Sequence, residues 1–130
     1  MSMSGTEIVP VVIEGTTSAV TYPVAPPSHK GRLVGMRVGT NTSQTGAAPV
    51  SAGLAGATNP VYSLDLDSKA TGQMHNADND ASATEAEINQ LFTDAAPVEL
   101  SVDLAVAGQV VVYLEFDAFI IGQGQNSTYA

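Results

Sequence analysis

Alternation of apolar and polar side chains is the dominant pattern along this chain. It is clear at 32–40 and 61–67, and clearest at 98–122, which reads VELSVDLAVAGQVVVYLEFDAFIIG. Successive side chains of a β-strand point to opposite faces, so a period of two predicts strands with one face in a core. Further strands are predicted at 8–14, where Pro10 favours an edge position, and at 19–24 and 50–54. In the strand at 32–40, Leu33 is expected to face outward with Arg37.

Residues 98–122 predict a β-hairpin. The apolar side chains of its two strands fall on the same face only if the connection has an odd number of residues, such as Ala107–Gln109. A shift of the pairing register by one residue would bury acidic side chains. The residues expected to face the core are Val98, Leu100, Val102, Leu104, Val112, Leu114, Phe116, Ala118 and Ile120. The hairpin would then carry Glu99, Asp103, Glu115 and Asp117 together on its outer face.

One helix is predicted after residue 83. Thr84 and Glu87 have the spacing of a capping box, and so do Ser82 and Glu85. Ile88, Leu91 and Phe92 follow at helical spacing as one apolar stripe, and Pro97 ends the segment. We expect two or three turns, which are too short to be stable without packing on the sheet.

Together these elements predict an all-β sandwich or jelly roll of six to eight strands with one short α-helix. A small barrel is the alternative. A chain of 130 residues is roughly one domain. We expect a flexible N-terminal arm over residues 1–7, a single β-sandwich domain over 8–122 and a C-terminal tail over 123–130.

Charge and composition exclude several classes of function. Thirteen acidic residues against four basic ones give a net charge of −9, whereas binding to nucleic acid or to an anionic membrane needs a cationic surface. The chain has no Cys, which removes disulfides, thiolate catalysis and zinc–thiolate sites. Its first residues do not resemble a signal peptide, and no apolar run has the length of a membrane span. We therefore expect synthesis in a cytoplasm.

Three groups of residues were weighed as sites of chemistry. The outward carboxylates of the predicted hairpin have the residue types of an acid–base pair or a calcium site, but a wet sheet face explains them better. The segment 78–84 begins like a calcium-binding loop, yet Ala83 stands where Gly is needed and Asn89 where Glu is needed. His29 and His75 share no ligand spacing with a carboxylate. We predict no catalytic residue, metal or cofactor, and hence no enzyme.

Positive charge is concentrated in one short stretch. Lys30, Arg32 and Arg37 are three of the four basic residues. They could dock an acidic neighbour, pair with this protein's own carboxylates in an oligomer, or simply solubilise the surface.

Large apolar side chains are also expected on the outer surface. Tyr113, Phe119 and Ile121 occupy outward positions of the last strand, and soluble monomers do not usually expose contiguous apolar patches. With Ile8 and Val9 at the start of the first strand and the three cations, they are the candidate partner-binding residues.

Three stretches of the chain resemble a known group of proteins: GRLVGMRVGTNTSQTGAAP at 31–49, VYSLDL at 61–66 and VELSVDLAVAGQVVVYLEF at 98–116. They are similar to small β-sandwich structural proteins of tailed-bacteriophage particles, most of all to capsid decoration, or cement, proteins. The resemblance implies a protein on the virion's capsid surface that binds the major capsid protein, stabilises the head and is often a trimer. It carries no functional residues with it.

Two other functions remain open at this stage. A carbohydrate- or receptor-binding module of a phage tail or head would suit a β-sandwich, although sugar sites favour aromatic rings and only 5% of this chain is aromatic. A carboxylate-dependent hydrolase is the weakest of the three hypotheses.

Overall fold

The computed structural model describes residues 5–118, which form two facing β-sheets. Ten strands and one helical turn are present in this part of the chain. Their bounds are β1 (Thr6–Gly15), β2 (Val20–Val24), β3 (Lys30–Thr40), β4 (Pro49–Leu54), β5 (Tyr62–Asp65), β6 (His75–Asn76), β7 (Asp78–Asn79), α1 (Glu85–Ile88), β8 (Leu91–Thr93), β9 (Val98–Val102) and β10 (Gly108–Ala118). The predicted all-β sandwich with one short helix is confirmed, but the predicted number of six to eight strands is too low, because β6, β7 and β8 have only two or three residues each, too few to show an alternating pattern.

The two sheets have similar sizes, and their strands pair antiparallel. Sheet A has the order β1-β10-β3-β6, with β8 beside the first part of β3, and sheet B has the order β2-β9-β4-β5-β7. In the described part of the chain, β4 and β5 are the only consecutive strands that are neighbours in a sheet. Most connections therefore cross from one sheet to the other.

The core lies between the sheets and is built by the predicted alternation. On β9 and its continuation, Val98, Leu100, Val102 and Leu104 are buried. On β10 the buried positions are Val110, Val112, Leu114 and Phe116. Each buried side chain of this size contributes about 1.5–3 kcal/mol relative to full exposure, so these two segments are a main source of stability.

The predicted hairpin between these segments is wrong. β9 pairs with β2 and β4 in sheet B, while β10 pairs with β1 and β3 in sheet A. An alternating pattern decides which face of a strand is buried but does not identify its neighbour. As a consequence, Glu99 and Asp103 lie on the outer side of one sheet and Glu115 and Asp117 on the outer side of the other, so the four carboxylates do not share a face.

A β-bulge changes the alternation of β3. Glu115 of β10 lies opposite Gly35, but the next residue of β10, Phe116, lies opposite Leu33, so Val34 is the extra residue. A bulge inverts the inward and outward positions on its two sides. Leu33 is therefore only 2% exposed, and the prediction that it faces outward is wrong.

The helix is shorter than predicted. The capping box between Thr84 and Glu87 is confirmed, but α1 is a single turn. Leu91 and Phe92 belong to β8, which pairs with the start of β3 and buries the Phe92 ring. A helix of this length is marginal on its own, and pairing with β3 gives these residues both hydrogen bonds and a buried position.

The chain ends differ in part from the predicted boundaries. β1 begins at Thr6, which lies opposite Asp117, so the strand includes the last two residues assigned to the N-terminal arm. Residues 1–4 and 119–130 lie outside the described residues. The flexibility of the arm, the tail at 123–130, and the roles of Phe119 and Ile121 stay predictions.

One buried polar side chain, Gln44, joins two connections between strands. Its Oε1 accepts hydrogen bonds from the backbone N–H groups of Ala105 (3.0 Å) and Val106 (2.9 Å). Its Nε2 donates to the carbonyl oxygens of Val106 (2.8 Å) and Thr42 (3.3 Å). The side chain is only 1% exposed, and these four bonds fix the β3–β4 connection against the β9–β10 connection.

Candidate interaction surfaces on the outer face of sheet A

Groups that could perform metal chemistry do not come together in residues 5–118. No three His, Asp or Glu side chains there are placed to hold a metal ion. His29 Nδ1 lies 2.7 Å from a carboxylate oxygen of Asp94, and His75 Nε2 lies 2.9 Å from the carbonyl oxygen of Ala70. In the same part of the chain, no helix is long and apolar enough to cross a membrane.

The segment that begins like a calcium loop makes local contacts. Asp80 accepts hydrogen bonds through one carboxylate oxygen from the backbone N–H of Ser82 and through the other from the hydroxyl of Ser63. The side chain of Thr84 caps α1. These contacts account for the polar residues of the segment without a bound ion.

The outer face of sheet A is organised in cross-strand rows, which follow from the register of β1, β10 and β3. At one end, Thr6, Asp117 and Arg32 form a polar row. The next row is Ile8, Glu115 and Gly35, followed by Pro10, Tyr113, Arg37 and Asn76, and then by Val12, Val111 and Gly39. The last row, Glu14 with Gln109, is polar again, so the least polar rows lie between two polar ends of this face.

The apolar side chains of this face are well exposed. Ile8 is 50% exposed and Val12 is 62% exposed, with Pro10 between them on the same face of β1. Met74, 38% exposed, lies over Gly39, where an added Cβ would be 2.6 Å from the methionine sulfur. We call the set Ile8, Pro10, Val12, Met74 and Val111 the apolar surface. Contiguous apolar surface of this kind is typical of interaction sites.

The free edge of β1 is protected against strand addition. Among residues 5–118, β1 pairs with β10 on one side and with no strand on the other. Proline has no N–H and fits a ladder only where its nitrogen points away from the partner strand, so Pro10 faces that open edge. A proline there interrupts the row of donors that an added strand needs. Partners are therefore expected to bind the face of β1 rather than its edge.

The predicted cations all reach the outer face of sheet A. Lys30 and Arg32 precede the bulge on β3, and Arg37 follows it. Because the bulge adds one residue, even-numbered residues before it and odd-numbered residues after it point to the same outer side of the sheet. Arg32 donates to the Asn89 side chain at 2.9 Å and lies 3.6 Å from an Asp117 carboxylate oxygen. Arg32 thus pairs with an acid of its own chain, and the three interpretations of the cations stay predictions.

The other predicted partner-binding residues divide between the face and the core. Ile8, Arg37 and Tyr113 are brought together around one groove on the outer face. Val9 lies opposite the buried Leu114 and packs against the core, so its side chain is on the inner side of β1.

That groove, which we call the bulge groove, is a hollow of about 280 Å³ beside the irregular part of β3. β8 covers the edge of β3 as far as Arg32, and β6 covers it from Arg37 onward. The groove opens at the gap between them. Its principal residues are Gly35, Arg37, Tyr62, Asn79, Tyr113 and Glu115.

The side chains of the bulge groove combine rings, charges and an amide. The Arg37 guanidinium carbon lies 5.5 Å from the centre of the Tyr113 ring, which is a cation–π distance. A Cβ added at Gly35 would be 3.0 Å from Glu115 Oε1, so the absence of a side chain leaves room for that carboxylate. Burial raises the pKa of the Tyr62 phenol above its ordinary value of 10.0, opposed by a hydrogen bond with Asn79.

Tyr62 and Asn79 were missed by the sequence analysis. They belong to β5 and β7 of sheet B and reach the groove because the short segment from β6 to β7 crosses between the sheets at this margin. The alternating segment 61–67 placed Tyr62 with Leu64 and Leu66 on the apolar side of a strand, and it did not indicate a neighbour in sheet A.

The outer face of sheet B has a different chemistry. Thr21, Ser101, Ser51 and Ser63 form one continuous cross-strand row. Glu99 and Asp103 flank this row on β9 and its extension, and Asp65 lies near Asp103 across Pro49. This face is small, hydroxylated and acidic, in contrast to the apolar surface of sheet A.

Comparisons with known proteins give only distant likenesses. No protein-family model matches this chain, and no curated protein does. A chain from Bacillus endospore appendages, which are described as a novel family of disulfide-linked pili, aligns with a TM-score of 0.49 and 12% identity over 90% of each chain. A chain from the acid-stable capsid of Helicobacter pylori bacteriophage KHP30 aligns with a TM-score of 0.48 and 12% identity, over 91% of this chain and 94% of that one. Such scores do not establish a common fold, and the proposals below rest on this chain's own residues.

Proposed function

We propose that this protein is a non-enzymatic structural component of a virus particle, a capsid decoration protein that binds the outer shell through its apolar surface. The exposure of Ile8 and Val12 on a rigid strand carries the proposal. A partner that covers these side chains removes apolar area from water at about 25 cal/mol per Å², and β1 needs no rearrangement to present them.

The character of the surface favours assembly over catalysis. The apolar side chains lie on the open outer face of β1 and β10, with Met74 beside them. An open sheet face suits contact with another protein better than enclosure of a substrate. A decoration protein also needs a fixed scaffold, which the sandwich provides. The partners in this proposal are the major capsid protein and further copies of this chain, as a trimer.

The test is attachment to shells of the encoding virus that lack this protein. We expect the double variant Ile8→Ser, Val12→Ser to attach at least about tenfold more weakly, because each truncation removes more than one buried methyl or methylene group. The matched control is Val106→Ser, an exposed valine outside the apolar surface. Attachment is measured by co-sedimentation and the oligomeric state by light scattering during gel filtration.

Three results would contradict the proposal: no attachment of the wild-type protein, equal attachment of the double variant and the wild type, or an equal loss in the Val106→Ser control. A stable trimer of the wild type that falls to monomer in the double variant would assign the apolar surface to contacts between copies.

A further inference from the structure

We propose that the bulge groove binds a neutral saccharide unit, such as one residue of a surface glycan. This activity is separate from shell attachment and uses an adjoining part of the same face of sheet A, beside the bulge in β3. Of the groove's lining residues, only Ile8 belongs also to the apolar surface.

The size of the groove limits what it can hold. A volume of about 280 Å³ lies just below the usual range for drug-sized ligands, which is about 300–1,000 Å³. The groove therefore suits one compact ring. The gap between β8 and β6 covers only positions 33–36 of β3, which is too short to pair with an extended peptide as an added strand.

The charges of the groove select a neutral ligand. Arg37 disfavours a cation, while Glu115 and Asp78, which also line the hollow, disfavour an anion. Opposed charges around one space suit a ligand that both donates and accepts hydrogen bonds. A sugar does this through each hydroxyl group, which carries one donor and two acceptor positions.

The polar side chains have the shapes that neighbouring hydroxyls need. A guanidinium, a carboxylate and a carboxamide each present two atoms in one plane, and Arg37, Glu115 and Asn79 supply one of each. Two tyrosines, Tyr62 and Tyr113, add two further hydroxyls and the ring surface that the core and Arg37 leave uncovered. A chain with only four tyrosines thus places two of them in one hollow.

The Tyr62 hydroxyl is in the protonation state that hydrogen bonding to a sugar needs. Its burial favours the protonated phenol, which can donate and accept at any physiological pH. Gly35 keeps the floor open, since any side chain there would meet the Glu115 carboxylate.

The experiment uses the full chain and defined probes. A glycan array selects the sugar type, and saturation-transfer NMR then measures binding of the methyl glycosides of glucose, galactose, mannose and N-acetylglucosamine. For a ligand of this size we expect a Kd of about 1 mM for the preferred sugar, from roughly 0.3 kcal/mol per heavy atom.

Two variants and one control localise the site. Arg37→Ala removes a charged hydrogen-bonding group and should weaken binding about tenfold or more. Tyr62→Phe keeps the ring and removes only the hydroxyl, and a loss of about fivefold is expected. Lys30→Ala removes a cation from the same strand and face outside the groove, and should leave binding unchanged. Melting curves show that each variant is folded.

The proposal is overturned if no methyl glycoside transfers saturation at about 10 mM, or if the two groove variants bind as well as the wild type. An equal loss in Lys30→Ala would also overturn it, because a general charge effect would then explain the binding. None of these results bears on attachment through the apolar surface, which the Ile8→Ser, Val12→Ser variant tests.

Discussion

Replacing Gln44 with Leu should destabilise the protein strongly, although the two side chains have similar sizes and the site is buried. The variant removes four hydrogen bonds at once. It leaves the backbone N–H groups of Ala105 and Val106 and the carbonyl of Val106 without their partners. The bond to Thr42, at 3.3 Å, is the weakest of the four.

The magnitude follows from how far these groups are buried. A lost net hydrogen bond costs about 0.5–1.5 kcal/mol, and a buried group left unsatisfied costs about 1–3 kcal/mol. Val106 is 37% exposed, so water can reach part of the freed backbone and the larger figure does not apply to every group. We expect a loss of about 3 kcal/mol in the free energy of unfolding and a fall in Tm of about 10 °C.

The assay is urea unfolding of the wild type and of Gln44→Leu, followed by circular dichroism, with thermal melts in parallel. Gln73→Leu is the matched control, because Gln73 is exposed and its side chain makes no hydrogen bond within the described chain. The control should change stability by less than about 0.5 kcal/mol. A loss below about 1 kcal/mol in Gln44→Leu would refute the role assigned to this side chain as the link between the two connections.

Two further predictions concern the dependence of stability on pH. The backbone N–H groups of Ala48 and Asp67 donate to Asp65 and hold the pKa of its carboxyl below its ordinary value of 3.8; the ionised form thus stabilises the fold above that value, and this contribution is lost as the pH falls through the lowered pKa. Urea unfolding between pH 7 and pH 2 should therefore show a smaller acid-induced loss in Asp65→Asn than in the wild type, and an equal loss would contradict the assignment. Burial raises the pKa of Tyr62, so the protonated phenol stabilises the fold. This contribution to the free energy of unfolding is complete below pH 10 and is lost as the pH rises through the raised value. Absorbance titration at alkaline pH should show one phenol that ionises at a higher pH than the others, and this step should be missing in Tyr62→Phe. Ionisation of all four phenols over the same pH range in the wild type would contradict the raised pKa of Tyr62.

Which residues face the core could be predicted from the sequence, but which strands are neighbours could not. The alternation at 98–122 identified the buried positions of β9 and β10 because burial depends on a local period of two. The two segments are also consecutive and separated by a short connection, so a hairpin was the natural interpretation. Pairing of β9 with β2 and β4, and of β10 with β1 and β3, depends on partners up to about a hundred residues away.

For the candidate sites, too, individual residues could be predicted from the sequence but the way they come together could not. Arg37 and Tyr113 were predicted at outward positions of strands and Ile8 at the start of one, and all three line one groove. The groove itself depends on the bulge at Val34 and on Tyr62 and Asn79 from the other sheet. A bulge is set by the match between two whole strands, so it could not be inferred from β3 alone.

Separation of β9 from β10 has a consequence for the proposed function. In a hairpin, Glu99, Asp103, Glu115 and Asp117 would have formed one acidic face, with both cationic and apolar residues nearby. In the sandwich, Glu115 and Asp117 lie among the cations of β3, while Glu99 and Asp103 stand on a face whose neighbours are mostly hydroxyls. If the apolar surface of sheet A is the side that binds the shell, the acidic face of sheet B is the side turned away from it. A particle covered with such copies presents negative charge to its surroundings, and like-charged particles repel one another and remain dispersed.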